Sequence, residues 1–108
     1  MTVIVKLRML LEYHCYPVWL YDENDRIIDT LLPEEMRDDT EPDAKFDDLK
    51  ARYDALFIDD GIEFSFKGFE SLEERQRFLK DWGSAVSELR SKTGGRYEIV
   101  DDIAFAWI

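Results

Sequence analysis

The spacing of apolar residues changes along this chain, and that change constrains the fold more than any other feature. At residues 3–11 apolar side chains occupy every second position, which is the period of a strand with one buried face. Across residues 43–57 and 72–89 the spacing becomes three and four, which is the period of a helix with one buried face. The two periods together predict a fold that combines strands and helices.

The strand patterns are short, and polar turns join several of them. Residues 18–21 and 26–30 are rich in strand-favouring side chains and flank the polar tetrapeptide DEND at 22–25, which predicts a hairpin. Residues 62–66 alternate most clearly, and two further short runs lie between positions 97 and 107. We therefore expect about six strands.

The two helix patterns carry their own end signals. Asp43 is positioned to cap the first helix, and the sequence Asp59-Asp60-Gly61 predicts its stop and a turn. Ser71 and Glu74 form a capping box at the start of the second helix. The pair Gly94-Gly95 predicts the end of that helix.

These elements predict an α+β fold, with an antiparallel β-sheet of about five or six short strands and two α-helices packed on one face. A length of 108 residues predicts a single domain spanning residues 1–108. No apolar run is long enough to cross a membrane, and residues 1–15 are too short and too charged for a signal peptide. A cytoplasmic location is therefore expected.

The chain carries little chemical equipment for catalysis. His14 is the single histidine and Cys15 the single cysteine, so neither a zinc site nor an internal disulfide is expected. The acidic turn at residues 22–33 lacks the glycine and glutamate of a calcium-binding EF-hand. The glycines form no phosphate-binding motif. We therefore predict no catalytic residues, no metal, no cofactor and no enzymatic activity.

The distribution of charge is the most informative feature for function. The formal net charge is −11, and residues 22–60 hold fifteen acidic and five basic residues. Such a chain would repel a phosphate backbone, so direct binding to nucleic acid is not expected. The same charge would favour encounter with a cationic protein.

The predicted partner-binding surface follows the acidic tract. Tyr21 lies beside the hairpin turn and is the aromatic residue of the tract that we expect to be exposed as an anchor. The predicted partner-binding residues are Tyr21, Asp22, Glu23, Asp25, Glu34, Glu35, Asp38, Asp39, Asp47, Asp48, Asp59 and Asp60.

A small acidic α+β chain with the tract YDENDRIIDTLLPEEMRDDTEPDAKFDDL at residues 21–49 resembles the immunity proteins of bacterial toxin–immunity systems. The resemblance implies stoichiometric binding to a basic cognate toxin, such as a nuclease, and coverage of the toxin's functional surface. Two alternatives stay open from the sequence. One is a DNA mimic that inhibits a host DNA-binding protein, and the other is a small enzyme or ligand-binding domain with scattered cleft residues.

Overall fold

The computed structural model describes residues 3–37 and 40–103, and these residues form six strands and two α-helices. In chain order the elements are β1 (Ile4–Met9), β2 (Val18–Asp22), β3 (Ile27–Asp29), α1 (Thr40–Asp54), β4 (Phe57–Asp59), β5 (Phe64–Phe66), α2 (Leu72–Thr93) and β6 (Glu98–Asp101). One 3-10 turn, Glu34–Met36, precedes α1. The predicted α+β class, with two helices and six short strands, is confirmed.

The strands are divided between two sheets, whereas the sequence predicts one. The larger sheet has the order β3-β2-β1-β6, and β4 pairs with β5 in a separate antiparallel hairpin. Within the larger sheet β6 runs parallel to β1, which differs from the antiparallel arrangement predicted for all pairs. Both helices lie between β1 and β6 in the chain, and so long a connection allows parallel pairing.

The core lies between one face of the larger sheet and both helices. Leu7 and Met9 of β1 stand opposite Leu20 and Val18 of β2, and all four side chains are buried. Their helical partners in the same core cluster are Phe46, Leu49 and Tyr53 of α1 and Phe78, Trp82, Ala85, Val86 and Leu89 of α2. Both helices therefore pack on the same face, as the apolar spacing predicts.

The predicted ends of the second helix are confirmed. The Ser71 hydroxyl accepts a hydrogen bond from the Glu74 backbone N–H at 3.1 Å, and α2 begins at Leu72. Gly94 follows the last helical residue with a left-handed φ of 58°, which an L side chain adopts at a cost. The Trp82 indole N–H donates to the Asp101 carboxylate at 2.9 Å, which connects α2 to β6.

The first helix spans Thr40–Asp54, so it begins before the predicted cap Asp43 and ends three residues before the predicted end at Phe57. Asp43 therefore lies within its first turn, where its carboxylate accepts a hydrogen bond from the Tyr16 hydroxyl at 2.9 Å. The chain turns after Asp54 because the Leu56 carbonyl accepts hydrogen bonds from the backbone N–H groups of Lys67 and Gly68, which lie just beyond β5. This leaves Phe57 to begin β4.

The segment Asp59-Asp60-Gly61 consequently lies in the β4–β5 hairpin instead of ending a helix. Ile62 belongs to the hairpin turn, since β5 begins at Phe64. The predicted strand residues Phe105 and Trp107 lie outside the described residues. Across residues 3–37 and 40–103, neither helix combines the length and apolar character needed to cross a membrane.

Candidate functional site

The predicted acidic residues that the structure describes lie on four separate elements. Asp38 and Asp39 fall outside the described part of the chain. The remaining acidic residues are Asp22, Glu23 and Asp25 around the β2–β3 turn, Glu34 and Glu35 in the 3-10 turn, Asp47 and Asp48 on α1, and Asp59 and Asp60 in the β4–β5 hairpin. Their grouping depends on how these elements are arranged in the fold.

The β2–β3 turn uses its first acidic residue to build the turn itself. Asp22 is buried, and its carboxylate accepts hydrogen bonds from the backbone N–H groups of Arg26 and Asn24, each at 2.9 Å. These hydrogen bonds, that of Arg26 first, hold the pKa of the Asp22 carboxyl below its ordinary value. Glu23 and Asp25 are exposed, and Asp25 pairs with Lys6.

Tyr21 is buried at 6% exposure, contrary to the expectation of an exposed anchor. An Arg8 guanidinium nitrogen donates to its hydroxyl at 3.2 Å, and the Lys6 ammonium lies 4.4 Å from the centre of its ring. Both basic residues come from β1, the neighbouring strand. The contacting residues lie outside the acidic tract of residues 21–49, so the burial of Tyr21 could not be predicted from that tract alone.

The β2–β3 turn lies far from the loop of residues 10–17. Ile4 pairs with Asp22 at one end of the β1–β2 ladder, and Met9 pairs with Val18 at the other end. The turn therefore sits at the first end, and the loop of residues 10–17 sits at the second. The six residues of β1 separate them by about 17 Å.

Five carboxylates gather beside the loop of residues 12–16, and we call them the acidic face. Tyr16 donates to Asp43, the backbone N–H of His14 donates to Asp54 at 2.9 Å, and the Tyr13 hydroxyl donates to Asp59 at 3.4 Å. Asp47 and Glu12 also act electrostatically on groups of this loop. The acidic face consists of Glu12, Asp43, Asp47, Asp54 and Asp59, of which the sequence analysis predicts Asp47 and Asp59.

The charges of the acidic face raise the pKa values of groups that border it. Partial burial, and then the charges of Asp59 and Asp54, raise the pKa of the Tyr13 hydroxyl. Partial burial, and then Glu12 and Asp54, raise the pKa of the Cys15 thiol. Each of these groups is a neutral acid that resists gaining a negative charge beside existing ones. The local potential is therefore negative.

The carboxylates of the acidic face also act on one another. Desolvation by the surroundings and then the Asp43 charge raise the pKa of the Asp47 carboxyl, although its side chain is exposed. Lys50 opposes this shift and also acts on Tyr13 and Cys15, yet its ammonium is engaged with Asp54 at 3.0 Å. A cation brought by another molecule would relieve this repulsion between carboxylates.

Asp48 differs from its neighbour Asp47. Its carboxylate pairs with Arg52 at 3.2 Å, and the same guanidinium reaches Asp81 of α2 at 2.8 Å. Asp48 therefore forms part of an ion-pair group between the helices. Its charge is partly balanced within the chain, whereas Asp47 lies among other carboxylates.

Aromatic side chains border the acidic face where the loop meets the β4–β5 hairpin. The Tyr13 ring lies 4.9 Å from Phe57 and 5.0 Å from Phe64, and the two phenylalanine rings are stacked at 5.4 Å. His14 stacks on the other side of Tyr13 at 3.9 Å. Phe64 remains 55% exposed, and a cavity of about 420 Å³ lies beside the cluster. The surface thus combines negative charge with aromatic contact area.

Three carboxylates of the acidic face were not predicted from the sequence. For two of them, Asp43 and Asp54, the sequence contains a spacing that indicates their position. Asp43, Asp47 and Asp54 are spaced by four and seven residues, which places them on one side of a helix. Because Asp43 was predicted to precede the helix as its cap, it was not counted among the residues on this side of the helix. No local signal brings Glu12 or the aromatic cluster to the same place, because their proximity arises from the packing of the loop.

The described residues do not show the constellation of a metal site. Among residues 3–37 and 40–103, no three histidine, cysteine or carboxylate side chains are arranged to hold a metal ion. Comparison with models of protein families identifies a match that covers most of the chain. A family model described as Serratia CdiI immunity protein-like matches residues 5–101. No curated protein matches the chain.

Proposed function

Because the chain belongs to the Serratia CdiI immunity protein-like family, we propose that it neutralises a cationic cognate toxin by stoichiometric binding, with the acidic face as the contact surface. The proposed toxin is a nuclease whose lysine and arginine side chains hold nucleic acid. Binding of the acidic face to those side chains would cover the toxin's functional surface without any catalytic step.

The observation that carries this proposal is the set of like charges around the loop of residues 12–16. The Asp47 side chain is exposed, yet desolvation by its surroundings and then the charge of Asp43 raise the pKa of its carboxyl. A folded chain that keeps such carboxylates together loses stability to their repulsion. A lysine or arginine from a toxin would convert this repulsion into attraction, which would favour fast encounter and selective binding.

The first experiment isolates the toxin and then tests whether the chain neutralises it. A tagged form of the chain is used to capture proteins from its source cells at low salt and again at about 0.5 M salt, where the Debye length is roughly 4 Å. A captured protein qualifies as the toxin when it stops cell growth alone and growth is restored by co-expression of the chain. Failure of every captured protein to be neutralised would contradict the proposal.

A pair of charge reversals then tests the contact surface. Asp47→Lys changes the acidic face, whereas Glu23→Lys makes the same change at the opposite end of the β1–β2 ladder. We expect Asp47→Lys to raise Kd for the toxin at least tenfold, mainly by slowing association, and Glu23→Lys to change it less than threefold. Surface plasmon resonance at low salt measures both rates. Equal effects, or a larger effect of Glu23→Lys, would assign binding elsewhere.

A further inference from the structure

The turn of the β4–β5 hairpin displays an apolar side chain that the rest of the chain does not cover. Ile62 is 96% exposed, the highest value among the exposed large apolar side chains of the described residues. Ile58 and Phe64 of the same hairpin are 38% and 55% exposed. Phe64 pairs with Asp59 and so lies on the face of the hairpin that borders the acidic face, whereas Ile58 pairs with Ser65 on the opposite face. Phe64 is therefore the exposed apolar group of the hairpin strands next to the acidic face, and Ile62 is the one at the turn.

The turn is held in one conformation by its own polar groups. The Asp60 carboxylate accepts hydrogen bonds from the backbone N–H groups of Glu63 at 2.8 Å and Ile62 at 3.0 Å. The Asp60 N–H in turn donates to the Glu63 carbonyl at 3.3 Å. Gly61 adopts a φ of +85°, which permits the tight turn. Ile62 is therefore presented on a preorganised support, which reduces the entropy lost on binding.

The charges around Ile62 indicate the chemistry of its partner. The segment from Phe57 to Phe66 contains the carboxylates Asp59, Asp60 and Glu63 and no basic residue. Asp59 also belongs to the acidic face, through its contact with Tyr13. The turn is thus continuous with the proposed contact surface, and it has an apolar tip within a negative rim. A complementary partner has an apolar cleft within a positive rim.

We propose that the β4–β5 turn inserts Ile62 into an apolar cleft on the cognate toxin while Asp59 and Glu63 pair with basic side chains at the rim of that cleft. This inference rests on the proposed function and specifies which contacts hold the toxin. Asp60 acts as a positioning residue, since its carboxylate is used within the turn. The acidic face accelerates encounter with the toxin, and Ile62, once it is buried in the cleft of the toxin, slows dissociation of the complex.

Two exposed isoleucines provide a matched test with the captured toxin. Ile62→Ser removes the apolar tip, and Ile27→Ser makes the same change on β3, where Ile27 is 54% exposed. We expect Ile62→Ser to raise Kd at least tenfold, mainly through faster dissociation, and Ile27→Ser to change it less than threefold. A smaller effect of Ile62→Ser, or an equal loss from Ile27→Ser, would overturn the inference. If Asp47→Lys loses binding and Ile62→Ser does not, the inference about Ile62 is wrong but the proposed function still holds.

The positioning role of Asp60 gives a second, independent test. Asp60→Ala removes the acceptor for both turn N–H groups, whereas Asp60→Asn keeps an oxygen acceptor. We expect Asp60→Ala to lose at least fivefold in affinity and Asp60→Asn to retain most of it, with circular dichroism spectra unchanged. Equal losses would contradict preorganisation. If the free chain is a dimer by light scattering and Ile62→Ser makes it a monomer, the turn is a self-association surface and the proposal is wrong.

Discussion

At the scale of single residues, the carboxylates of this chain have different structural roles. Asp22 and Asp60 accept backbone hydrogen bonds, and their pKa values are lowered, chiefly by the N–H groups of Arg26 and Glu63 respectively. The carboxyl of Asp47 has a raised pKa, chiefly from desolvation and then from the charge of Asp43. The first two carboxylates stabilise their turns when ionised, whereas ionised Asp47 opposes folding.

The raised pKa of Asp47 predicts a trade-off between stability and binding. Because its pKa is higher in the folded chain, ionisation of Asp47 costs stability above the unfolded pKa, and this cost is absent where the carboxyl is protonated in both states. We expect Asp47→Asn to raise the urea midpoint at pH 7, with the gain shrinking toward pH 3.5, while toxin binding weakens. An unchanged or lowered midpoint at pH 7 would contradict the repulsion inferred at this position.

At the scale of elements, α2 is the part of the chain that local sequence describes best. Its cap at Ser71, its length of 22 residues and its left-handed end at Gly94 follow from residues within the helix or next to it. Gly83 lies in its middle, is exposed and has no atom within 4 Å of the place where a Cβ would stand. The helix and its C-terminal cap therefore contain two glycines, Gly83 and Gly94, whose backbone conformations differ.

The same substitution at these two glycines should have opposite effects. Gly83→Ala should raise the free energy of unfolding by about 1 kcal/mol because alanine favours the helix. Gly94→Ala should lower it by about 1 kcal/mol because an L side chain is strained at a φ of 58°. Urea unfolding followed by circular dichroism measures both. Changes of the same sign would show that at least one of the two backbone arguments is wrong.

At the scale of the whole molecule, net charge affects the free chain and its complex in opposite directions. A formal net charge of −11 generates self-repulsion in the folded state, and added salt screens it. Added salt also screens the attraction between the acidic face and a cationic toxin. Screening of an exposed ion pair such as Arg52 with Asp81 should cost the free chain little stability.

Salt should therefore separate stability from association. Raising sodium chloride from about 0.02 to 0.5 M should raise the thermal midpoint of the free chain and slow its association with the toxin at least tenfold. The dissociation rate should change less than threefold, because the apolar contact of Ile62 is not screened. Thermal melts and stopped-flow mixing provide the two measurements. A midpoint that falls with salt would show that internal ion pairs outweigh the self-repulsion.

The sequence by itself determined the features that depend on neighbouring residues. The period of two in β1, the helical period of α2 and the Ser71 cap predict the α+β class, since local spacing decides which side chains can share a buried face. The acidic excess of residues 22–60 was likewise readable directly from composition.

Only the tertiary structure decided which carboxylates stand together. Tyr21 is buried because Arg8 and Lys6 of another strand contact it, and Asp22 lies at the end of the β1–β2 ladder away from the loop of residues 12–16. Glu12 and Asp59 act on the same loop although 47 positions separate them in the chain. Local spacing carries no information about such distances, because they follow from the path of the whole chain around its core.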